Sequence, residues 1–246
     1  MKSFPELSIL RSEKGRISGI QSLGGVDGPG VRAVVFGVGC PLRCAYCHNP
    51  ETWAENGEEI TAGELADKLL RYKPYFANGG VTFSGGEPLA QAKFFSAVAT
   101  LLKAEGVHIA TDTSGSVKGE WVDRLINKCD LLLCDVKFTS EEDYKKYTGG
   151  SLSDVLEFIQ KVCLANKRLW IRQVIVEGVN ADEENALKLK KILAPYMANI
   201  DKIELLPFRK LCLEKYERLG LTFPFADKPE TSSQKIKELE KIFSNE

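Results

Sequence analysis

Cys40, Cys44 and Cys47 form a C-x3-C-x2-C run that directly follows an apolar segment of the chain. Three thiolates at this spacing can hold three corners of a tetrahedral sulfur site, which suits an iron–sulfur cluster or zinc. The remaining cysteines are scattered singly, at Cys129, Cys134, Cys163 and Cys212. A cubane cluster bound by the run therefore keeps one iron without a cysteine ligand, and such an open iron can bind a reactant.

The cysteine run also admits other chemistries. Cys44 and Cys47 with His48 make C-x-x-C-H, the attachment pattern of c-type haem, but haem attachment leaves Cys40 unused. Zinc with His48 as its fourth ligand is chemically reasonable. A thioredoxin-like dithiol of Cys44 and Cys47 again leaves Cys40 without a role. The spacing of all three cysteines favours the iron–sulfur cluster over these alternatives.

Short segments rich in Val, Ile and Leu alternate with longer segments of helical periodicity. The predicted strands are 31–38, 81–83, 107–110, 131–136, 169–176 and 203–206. The predicted helices are 60–72, 91–103, 121–128, 154–165 and 182–193. Such alternation predicts an α/β fold with a parallel sheet and right-handed crossovers. Because no G-x-G-x-x-G follows the first strand, a partial (β/α)6 TIM-like barrel fits better than a dinucleotide-binding sheet.

Both ends of the chain extend this barrel. Residues 15–22 predict an added N-terminal strand, and residues 232–243 predict an added C-terminal helix with one apolar face packed on the body. The chain has 246 residues and is 43% hydrophobic, so it can bury one large core. We therefore expect residues 1–14 to be an N-terminal tail and residues 15–246 to be a single domain.

Composition excludes several classes of partner. The net charge of −1 gives no general attraction for nucleic acid or anionic membranes. The start of the chain lacks the apolar core of a signal peptide, and no segment has the apolar length of a membrane span. Seven cysteines, three of them in a metal motif, indicate a reducing compartment. We expect a cytoplasmic protein.

Polar residues follow five of the predicted strands, at the end where α/β barrels carry their active sites. The first strand leads into the cysteine run. The other positions are Ser84-Gly85-Gly86-Glu87-Pro88, Asp112-Thr113, Asp135 with Lys137, and Pro207-Phe208-Arg209. A Gly-Gly pair alone is most often a turn, and a strand-end Asp is most often a helix cap. Their recurrence at five strand ends predicts a common site.

The alternation of the fourth strand places Asp135 and Lys137 on one face and Cys134 and Val136 on the other. The second face is apolar and should pack under helices. The first face carries two charges into the barrel mouth, where an unpaired charge is costly. Either Asp135 pairs with Lys137, or both meet a zwitterionic ligand with its own ammonium and carboxylate. Arg172, in the fifth strand, is a candidate for a further cation.

These motifs together resemble the radical S-adenosylmethionine superfamily, and within it the activating enzymes of glycyl-radical enzymes. The similarity begins near residue 15 and reaches the C-terminus. Its most specific segments are Val26-Asp27-Gly28-Pro29-Gly30-Val31-Arg32, residues 39–50 around the cysteines, and Thr52-Trp53. Further matches are residues 84–87, 112–115, 135–137, 170–172 and 203–207. Because no cysteine-rich insert follows Trp53, the chain is similar to the short type of activating enzyme, which acts on pyruvate formate-lyase. The resemblance implies that this chain is itself an oxidoreductase.

The resemblance implies that the three cysteines ligate a [4Fe–4S] cluster whose fourth iron takes the amino and carboxylate groups of S-adenosylmethionine. The implied neighbours of this cofactor are Tyr46, His48, Gly85, Gly86, Glu87, Asp112, Thr113, Asp135, Val136, Lys137, Arg172 and Arg209. Among them, the Gly85-Gly86 backbone with Glu87 is implied to hold the methionine ammonium, and Asp112 with Thr113 a monovalent cation. One-electron cleavage then gives a 5′-deoxyadenosyl radical that takes a glycine α-hydrogen from a partner protein. The chemistry belongs to the cofactor, so no general acid or base is predicted.

Two residues carry separate expectations. Arg209 stands where many relatives have a histidine, and arginine cannot become neutral. Asp27 is implied to contact the glycine loop of the partner, which enters through the lateral opening that a six-stranded barrel leaves. The resemblance also implies flavodoxin or ferredoxin as electron donor, and we expect a monomer.

Other functions stay open on the sequence. An activase of another glycyl-radical enzyme, or a radical enzyme with a small-molecule substrate, would keep the same cofactors. A plain iron–sulfur electron carrier gives the barrel-mouth charges and the Gly-Gly-Glu segment no role. A zinc-stabilised binding module predicts a colourless protein that is stable in air.

Overall fold

An eight-stranded sheet forms the centre of the computed structural model, which describes residues 4–244. The strands are β1 (Lys14–Gly24), β2 (Arg32–Gly37), β3 (Glu58–Thr61), β4 (Gly80–Gly85), β5 (His108–Thr113), β6 (Leu131–Asp135), β7 (Arg168–Ile175) and β8 (Ile200–Pro207). Their order in the sheet is β3-β1-β2-β4-β5-β6-β7-β8. β2 and β4–β8 run parallel, whereas β1 pairs antiparallel with both β2 and β3.

Helices connect the parallel strands. Within residues 4–244 they are α1 (Phe4–Ser12), α2 (Ala62–Leu70), α3 (Ala92–Ala104), α4 (Glu120–Lys128), α5 (Glu141–Thr148), α6 (Leu152–Leu164), α7 (Glu183–Leu193), α8 (Leu213–Arg218) and α9 (Ser233–Glu240). The predicted α/β class and partial (β/α)6 barrel are confirmed, with the six parallel strands joined by crossovers. The barrel does not close, because β3 and β8 lie at opposite edges of the sheet. Each helix in the described part of the chain is too short or too polar to cross a lipid bilayer.

All six predicted core strands, the added strand and the added C-terminal helix are present. The prediction that the first helix begins at residue 60 is wrong, because Ile60 belongs to the edge strand β3. A capping box separates the two elements: the Thr61 hydroxyl accepts from the Glu64 N–H at 3.2 Å, and the Glu64 carboxylate accepts from the Thr61 N–H at 2.9 Å. Helix α2 therefore starts at Ala62.

Three helices were not predicted. Helix α1 lies within the expected N-terminal tail, and Arg11 at its end pairs with Asp67 of α2 at 2.6 Å. Helices α5 and α8 lie in the segments after β6 and β8, at the end of the barrel where the polar strand ends meet. Residues 1–3 and 245–246 are outside the described part of the chain.

The two faces of β6 pack as the alternation predicted. Cys134 and Val136 lie in the large core between sheet and helices. Leu131 and Leu133 lie on the other face, where they pack with Ala110 and Trp170 in a separate small cluster. This small cluster fills the barrel interior below Asp135. It therefore forms an apolar floor under the charged residues at the carboxyl ends of the strands.

Candidate functional site

A cavity of about 420 Å³ lies at the carboxyl ends of the parallel strands. It is where the strand-end residues predicted a site. The predicted residues that line it are Cys40, Cys44, Tyr46, Cys47, His48, Gly85, Gly86, Asp112, Thr113, Asp135, Lys137 and Arg172. The structure thus brings the cysteine run and the polar residues of four strand ends to one place.

The cysteine run is held by the end of α5. The N–H of Arg43 donates to the carbonyl of Thr148, and the N–H of Ala45 donates to the carbonyl of Tyr147, both at 2.8 Å. The Arg43 guanidinium donates to the carbonyl of Cys40 at 2.7 Å and lies over the ring of Trp53, 5.2 Å from its centroid. These contacts fix the backbone of the run, so the thiols need not be positioned by a metal alone.

The thiols lie in a poorly solvated place. Burial raises the pKa of Cys44 to about 12 and that of Cys40 to about 11, and burial also raises the pKa of Cys47. Ligation needs thiolates, so a metal centre displaces protons when it binds here. Across residues 4–244, no three His, Cys, Asp or Glu side chains are grouped to hold a single metal ion. A cubane does not require that grouping, because each cysteine binds a different iron.

A row of paired charges crosses the cavity. The Arg172 guanidinium donates to the Asp112 carboxylate and, at 3.1 Å, to Oδ1 of Asp135. Lys137 Nζ donates to Oδ2 of Asp135 at 3.0 Å. The hydroxyl of Ser84 donates to Asp112 at 3.0 Å. The structure shows Asp135 paired with Lys137, one of the two alternatives that the sequence left open, and Arg172 joins that pair to β5.

Asp135 and Lys137 remain ionised at neutral pH. Burial acts to lower the pKa of Lys137, but the Asp135 carboxylate together with Cys44, Tyr46 and Tyr144 outweighs it and holds that pKa well above its usual range. Burial acts to raise the pKa of Asp135, but Lys137 and Arg172 together bring it below its usual value. Two cations thus face two carboxylates. Such a balanced row can receive an ammonium and a carboxylate without leaving a buried charge unpaired.

Gly85 gives the cavity a wall of bare backbone. Its φ of +111° lies in the region that favours glycine, and a Cβ there would lie 2.3 Å from the carbonyl oxygen of Gly37. The N–H of the next residue, Gly86, donates to that same carbonyl at 2.9 Å. A side chain at position 85 is therefore excluded by contact as well as by conformation.

Glu87 lies behind the cavity wall and is not among the residues that line the cavity, so its contact with the cofactor stays a prediction. Its side chain is only 1% exposed. Its carboxylate accepts from the Thr113 hydroxyl at 2.6 Å, the Leu89 N–H at 3.0 Å and the Ser114 N–H at 2.9 Å. With these donors in place, Glu87 ties the segment after β4 to the end of β5 and has no oxygen facing the cavity.

Val136 and Arg209 are also placed away from the cavity. Val136 is fully buried on the helix-facing side of β6, as strand alternation requires, and only its N–H reaches toward the site, donating to the carbonyl of Arg172 at 2.9 Å. The Arg209 guanidinium donates to the carbonyl of Thr231 at 2.6 Å. Its carbonyl accepts from Nε2 of His48 at 2.9 Å, so Arg209 supports His48 through its backbone.

The sequence analysis missed several residues of the site, namely Leu42, Asn49, Ser114, Val174 and Leu206. Ser84 and Pro207, from the predicted strand ends, and Trp53 also line the cavity. Ser114 adjoins the predicted strand-end residue Thr113, so the same argument could have found it. Lys215 of α8 braces the cysteine loop by donating to Asn49 and Glu51, each at 2.6 Å. No local pattern links Lys215 to a loop so distant in sequence.

One unpaired polar atom shows what the cavity can still accept. Tyr46 lines the cavity, and its hydroxyl is buried and has no hydrogen-bond partner among residues 4–244. A buried hydroxyl without a partner is unfavourable, so a bound group with an acceptor would satisfy it. Three thiols, bare backbone at Gly85, a balanced charge row and this free hydroxyl fit an iron–sulfur cluster together with a zwitterionic cofactor.

Comparison with known proteins gives the class that this site defines. A sequence profile of the radical SAM superfamily matches residues 34–189. The structure of Streptococcus suis SuiB bound to S-adenosylmethionine aligns with a TM-score of 0.57 at 14% identity, covering 70% of this chain and 39% of that one, which shows the shared fold. The class is that of radical SAM proteins, which use a [4Fe–4S] cluster and S-adenosylmethionine.

Relatives over nearly the whole chain narrow the class. A pyruvate formate-lyase-activating enzyme of Clostridium pasteurianum is 44% identical over 230 residues, which are 92% of this chain and 96% of that protein. One from Staphylococcus epidermidis is 37% identical over 92% of this chain and 93% of its own length. A domain of such an enzyme from Bacteroides vulgatus aligns with a TM-score of 0.55 at 29% identity, covering 67% of this chain and 92% of that domain. This chain belongs to the family of pyruvate formate-lyase-activating enzymes.

Proposed function

We propose that this chain activates a pyruvate formate-lyase by removing a hydrogen atom from the α-carbon of one of its glycines. The observation that carries the proposal is that the three cysteines and the paired charges of Asp112, Arg172, Asp135 and Lys137 line one cavity. An electron carrier needs no such charges beside its cluster. Pyruvate formate-lyase is proposed as the substrate protein because the relatives are named after its activation.

The roles of the residues follow from their places in the cavity. Cys40, Cys44 and Cys47 hold the cluster, and the charge row with the Gly85-Gly86 backbone orients the amino-acid part of S-adenosylmethionine. When bound, these cofactors supply one-electron chemistry that removes a hydrogen atom from carbon. Tyr46 and His48 would lie near the adenosyl part of the bound cofactor, where the Tyr46 hydroxyl could find an acceptor. Asp112 and Thr113 are the proposed ligands of a monovalent cation.

The overall reaction balances with one external electron. S-adenosylmethionine, one electron and one glycyl C–H give methionine, 5′-deoxyadenosine and a glycyl radical. We propose a reduced flavodoxin or ferredoxin as the source of the electron. A cluster of this kind and seven free cysteines suit the reducing cytoplasm. We propose that the enzyme acts there as a monomer, with residues 15–246 as its single catalytic domain.

Asp27 is the proposed contact for the glycine loop of the partner. Its carbonyl accepts from the Thr82 hydroxyl of β4 at 2.7 Å, which draws the β1–β2 loop against the barrel strands. Burial and the nearby Asp112 carboxylate raise the pKa of Asp27. No donor among residues 4–244 reaches its carboxylate, which is therefore available to a peptide N–H. The open side of the barrel leaves room for a loop to enter.

An anaerobic reconstitution tests the proposal. The protein is loaded with iron and sulfide, reduced, and mixed with S-adenosylmethionine and a pyruvate formate-lyase, and the EPR spectrum and 5′-deoxyadenosine are measured. We expect a protein-centred glycyl doublet together with 5′-deoxyadenosine. Deoxyadenosine without the doublet would move the activity to another glycyl-radical enzyme or to a small substrate. Neither product from an intact cluster would overturn the radical chemistry.

A further inference from the structure

Arg32 is fully buried at the amino end of the barrel, opposite the cavity, where it begins β2. No ion pair joins it to a carboxylate among residues 4–244. Burial lowers its pKa to about 10, so the position is unfavourable for a cation. A buried guanidinium that has no carboxylate partner must donate its hydrogen bonds to other acceptors. The identity of these acceptors indicates the role of Arg32.

The acceptors of Arg32 belong to neighbouring strands and to the β1–β2 loop. Its Nε donates to the Thr82 hydroxyl at 2.6 Å, and its Nη2 donates to the carbonyl of Val81 at 2.8 Å. Its Nη1 donates to the carbonyl of Pro29 at 3.0 Å. The Thr82 hydroxyl, whose oxygen receives the Arg32 proton, gives its own proton to the carbonyl of Asp27. Arg32 therefore controls two carbonyls of the loop, one directly and one through Thr82.

The rest of the loop has little else to hold it. Val26, just before Asp27, is 78% exposed and gives no apolar anchor. Gly30 has φ +68° and lies so close to the neighbouring turn that a Cβ would be 2.4 Å from the carbonyl oxygen of Asn78. The loop thus fits against that turn in one conformation. Val31 at its end is held by backbone hydrogen bonds with Ala77 at 3.4 Å and Gly80 at 3.2 Å, and the bonds from Arg32 and Thr82 hold Pro29 and Asp27.

We propose that Arg32, acting through Thr82, is a positioning residue that fixes the backbone at Asp27, and with it the place from which the Asp27 carboxylate meets the glycine loop of the partner. The inference rests on the proposed function. A fixed acceptor loses less conformational entropy when the partner binds, and a mobile one loses more. Loss of the Thr82 link should therefore weaken recognition of the partner protein and leave the reaction of the cofactor itself intact.

The matched variants are Thr82→Val and Thr82→Ser. Valine keeps the shape of threonine but removes the hydroxyl, which leaves the Arg32 Nε–H without its acceptor and the Asp27 carbonyl without its donor. Serine keeps the hydroxyl. Arg32 itself is a poorer first target because its removal disturbs three strands at once; Arg32→Lys serves as a second variant that keeps the charge and loses the fork of donors.

The experiment compares the wild type with Thr82→Val and Thr82→Ser, each with its cluster reconstituted. We measure KM and kcat for glycyl-radical formation by EPR, 5′-deoxyadenosine release without partner, and iron content. Thr82→Val should raise KM for the partner about tenfold, with kcat, partner-free cleavage and iron content near wild type, and Thr82→Ser should keep the wild-type KM. A wild-type KM in Thr82→Val, or an equal loss of all activities and of iron, would overturn the proposal.

Amide hydrogen exchange separates this proposal from the function on which it rests. Exchange in residues 26–31 should be faster in Thr82→Val than in wild type, whereas residues 40–47 should be unchanged. Unchanged exchange in residues 26–31 would overturn the anchoring by Thr82, whatever the partner. If wild-type protein forms no glycyl radical while the exchange difference is present, the proposed function fails and the anchoring stands.

Discussion

Glu87 and Ser114 are joined by two hydrogen bonds, one from the backbone N–H of Ser114 at 2.9 Å and one from its hydroxyl. Both end on the same carboxylate oxygen, while the other oxygen receives Thr113 and Leu89. The two segments that this pair connects carry the bare backbone at Gly85 and the strand end of β5. The shape of the cavity wall therefore depends on a side chain that lies outside the cavity.

Replacement of Glu87 tests this dependence. Glu87→Ala leaves several buried donors without an acceptor, and we expect it to lower the free energy of unfolding by about 2–4 kcal/mol. The affinity for S-adenosylmethionine should fall as well, because the loop at Gly85 loses its support. Denaturant unfolding and calorimetric titration measure both effects. The exposed Glu105→Ala is the control, and equal behaviour of the two variants would contradict the role of Glu87.

Loss of one cysteine of the run should abolish the cluster. We expect Cys44→Ala to bind little iron and sulfide after reconstitution, because two thiolates cannot hold a cubane against solvent. Cys163→Ala, at a half-buried position of α6, should load as well as wild type. Iron and sulfide analysis with absorption spectroscopy decides the matter. An intact cluster in Cys44→Ala would refute the assignment of this ligand.

Arg172 should be essential to the charge row. In Arg172→Ala the carboxylates of Asp112 and Asp135 lose the cation between them, and we expect a loss of about 3–5 kcal/mol of stability and at least tenfold weaker S-adenosylmethionine binding. Arg172→Lys should recover part of this, since an ammonium cannot bridge both carboxylates as the guanidinium does. The control is Arg168→Ala on the same strand, where an exposed pair with Asp201 contributes little. Calorimetric titration measures the affinity of each variant for S-adenosylmethionine. Equal affinities of Arg172→Ala and Arg168→Ala would show that the charge row has no role in binding the cofactor.

Asp27 should act on the partner and not on the cofactor. Asp27→Asn removes the charge but keeps the size of the side chain, so we expect slower glycyl-radical formation and unchanged 5′-deoxyadenosine release without partner. Asp67→Asn, at an exposed site of α2, should behave as wild type in both assays. An equal loss of both activities in Asp27→Asn would assign this residue to the cofactor site instead.

His108 should make stability depend on pH. Burial and the adjacent Arg32 lower the pKa of His108 below its usual value near 6.5, and Nη2 of Arg32 lies 3.2 Å from its Nδ1. The Asp130 carboxylate raises the pKa of His108, whereas Lys103, like Arg32, lowers it. As the pH falls through about 6.5, the unfolded chain binds a proton at this residue before the folded chain does, so the free energy of unfolding decreases.

Denaturant unfolding at a series of pH values tests the histidine. We expect the stability difference between wild type and His108→Gln to change between about pH 7 and pH 5.5, with wild type losing more as the pH falls. A difference that stays constant over this interval would show that His108 does not titrate with a lowered pKa in the folded protein.

The sequence predicted the barrel because its parallel strands are buried on both faces. Strands of this kind are continuous apolar segments, and their polar ends mark the site, as at Asp135 and Lys137. Helix α5 escaped prediction because its residues are mostly charged and only Tyr144 and Thr148 are buried. Its sequence signals were instead the cap at Ser140, which accepts from the Asp143 N–H, and the left-handed Gly149 after its end.

The placement of individual side chains in the site was harder to predict. Strand alternation holds only within a strand, so it could place Val136 but not Glu87, which lies in the loop after β4. The inward or outward direction of a loop side chain depends on partners elsewhere, here Thr113 and Ser114. Lys215 supports the cysteine loop through contacts between residues that are far apart in sequence. Such contacts cannot be predicted from one sequence when the fold is unknown.

The hydrogen bonds from Arg43 and Ala45 to the end of α5 also bear on the biogenesis of the enzyme. The carbonyls of Tyr147 and Thr148 that receive them are made by the ribosome long after the cysteines. A nascent chain that ends shortly after its cysteine run therefore lacks the backbone contacts that hold the run. Closing the long loop between the cysteines and the end of α5 is entropically unfavourable until the intervening strands have formed. We therefore expect iron and sulfide to be loaded only after the barrel has formed.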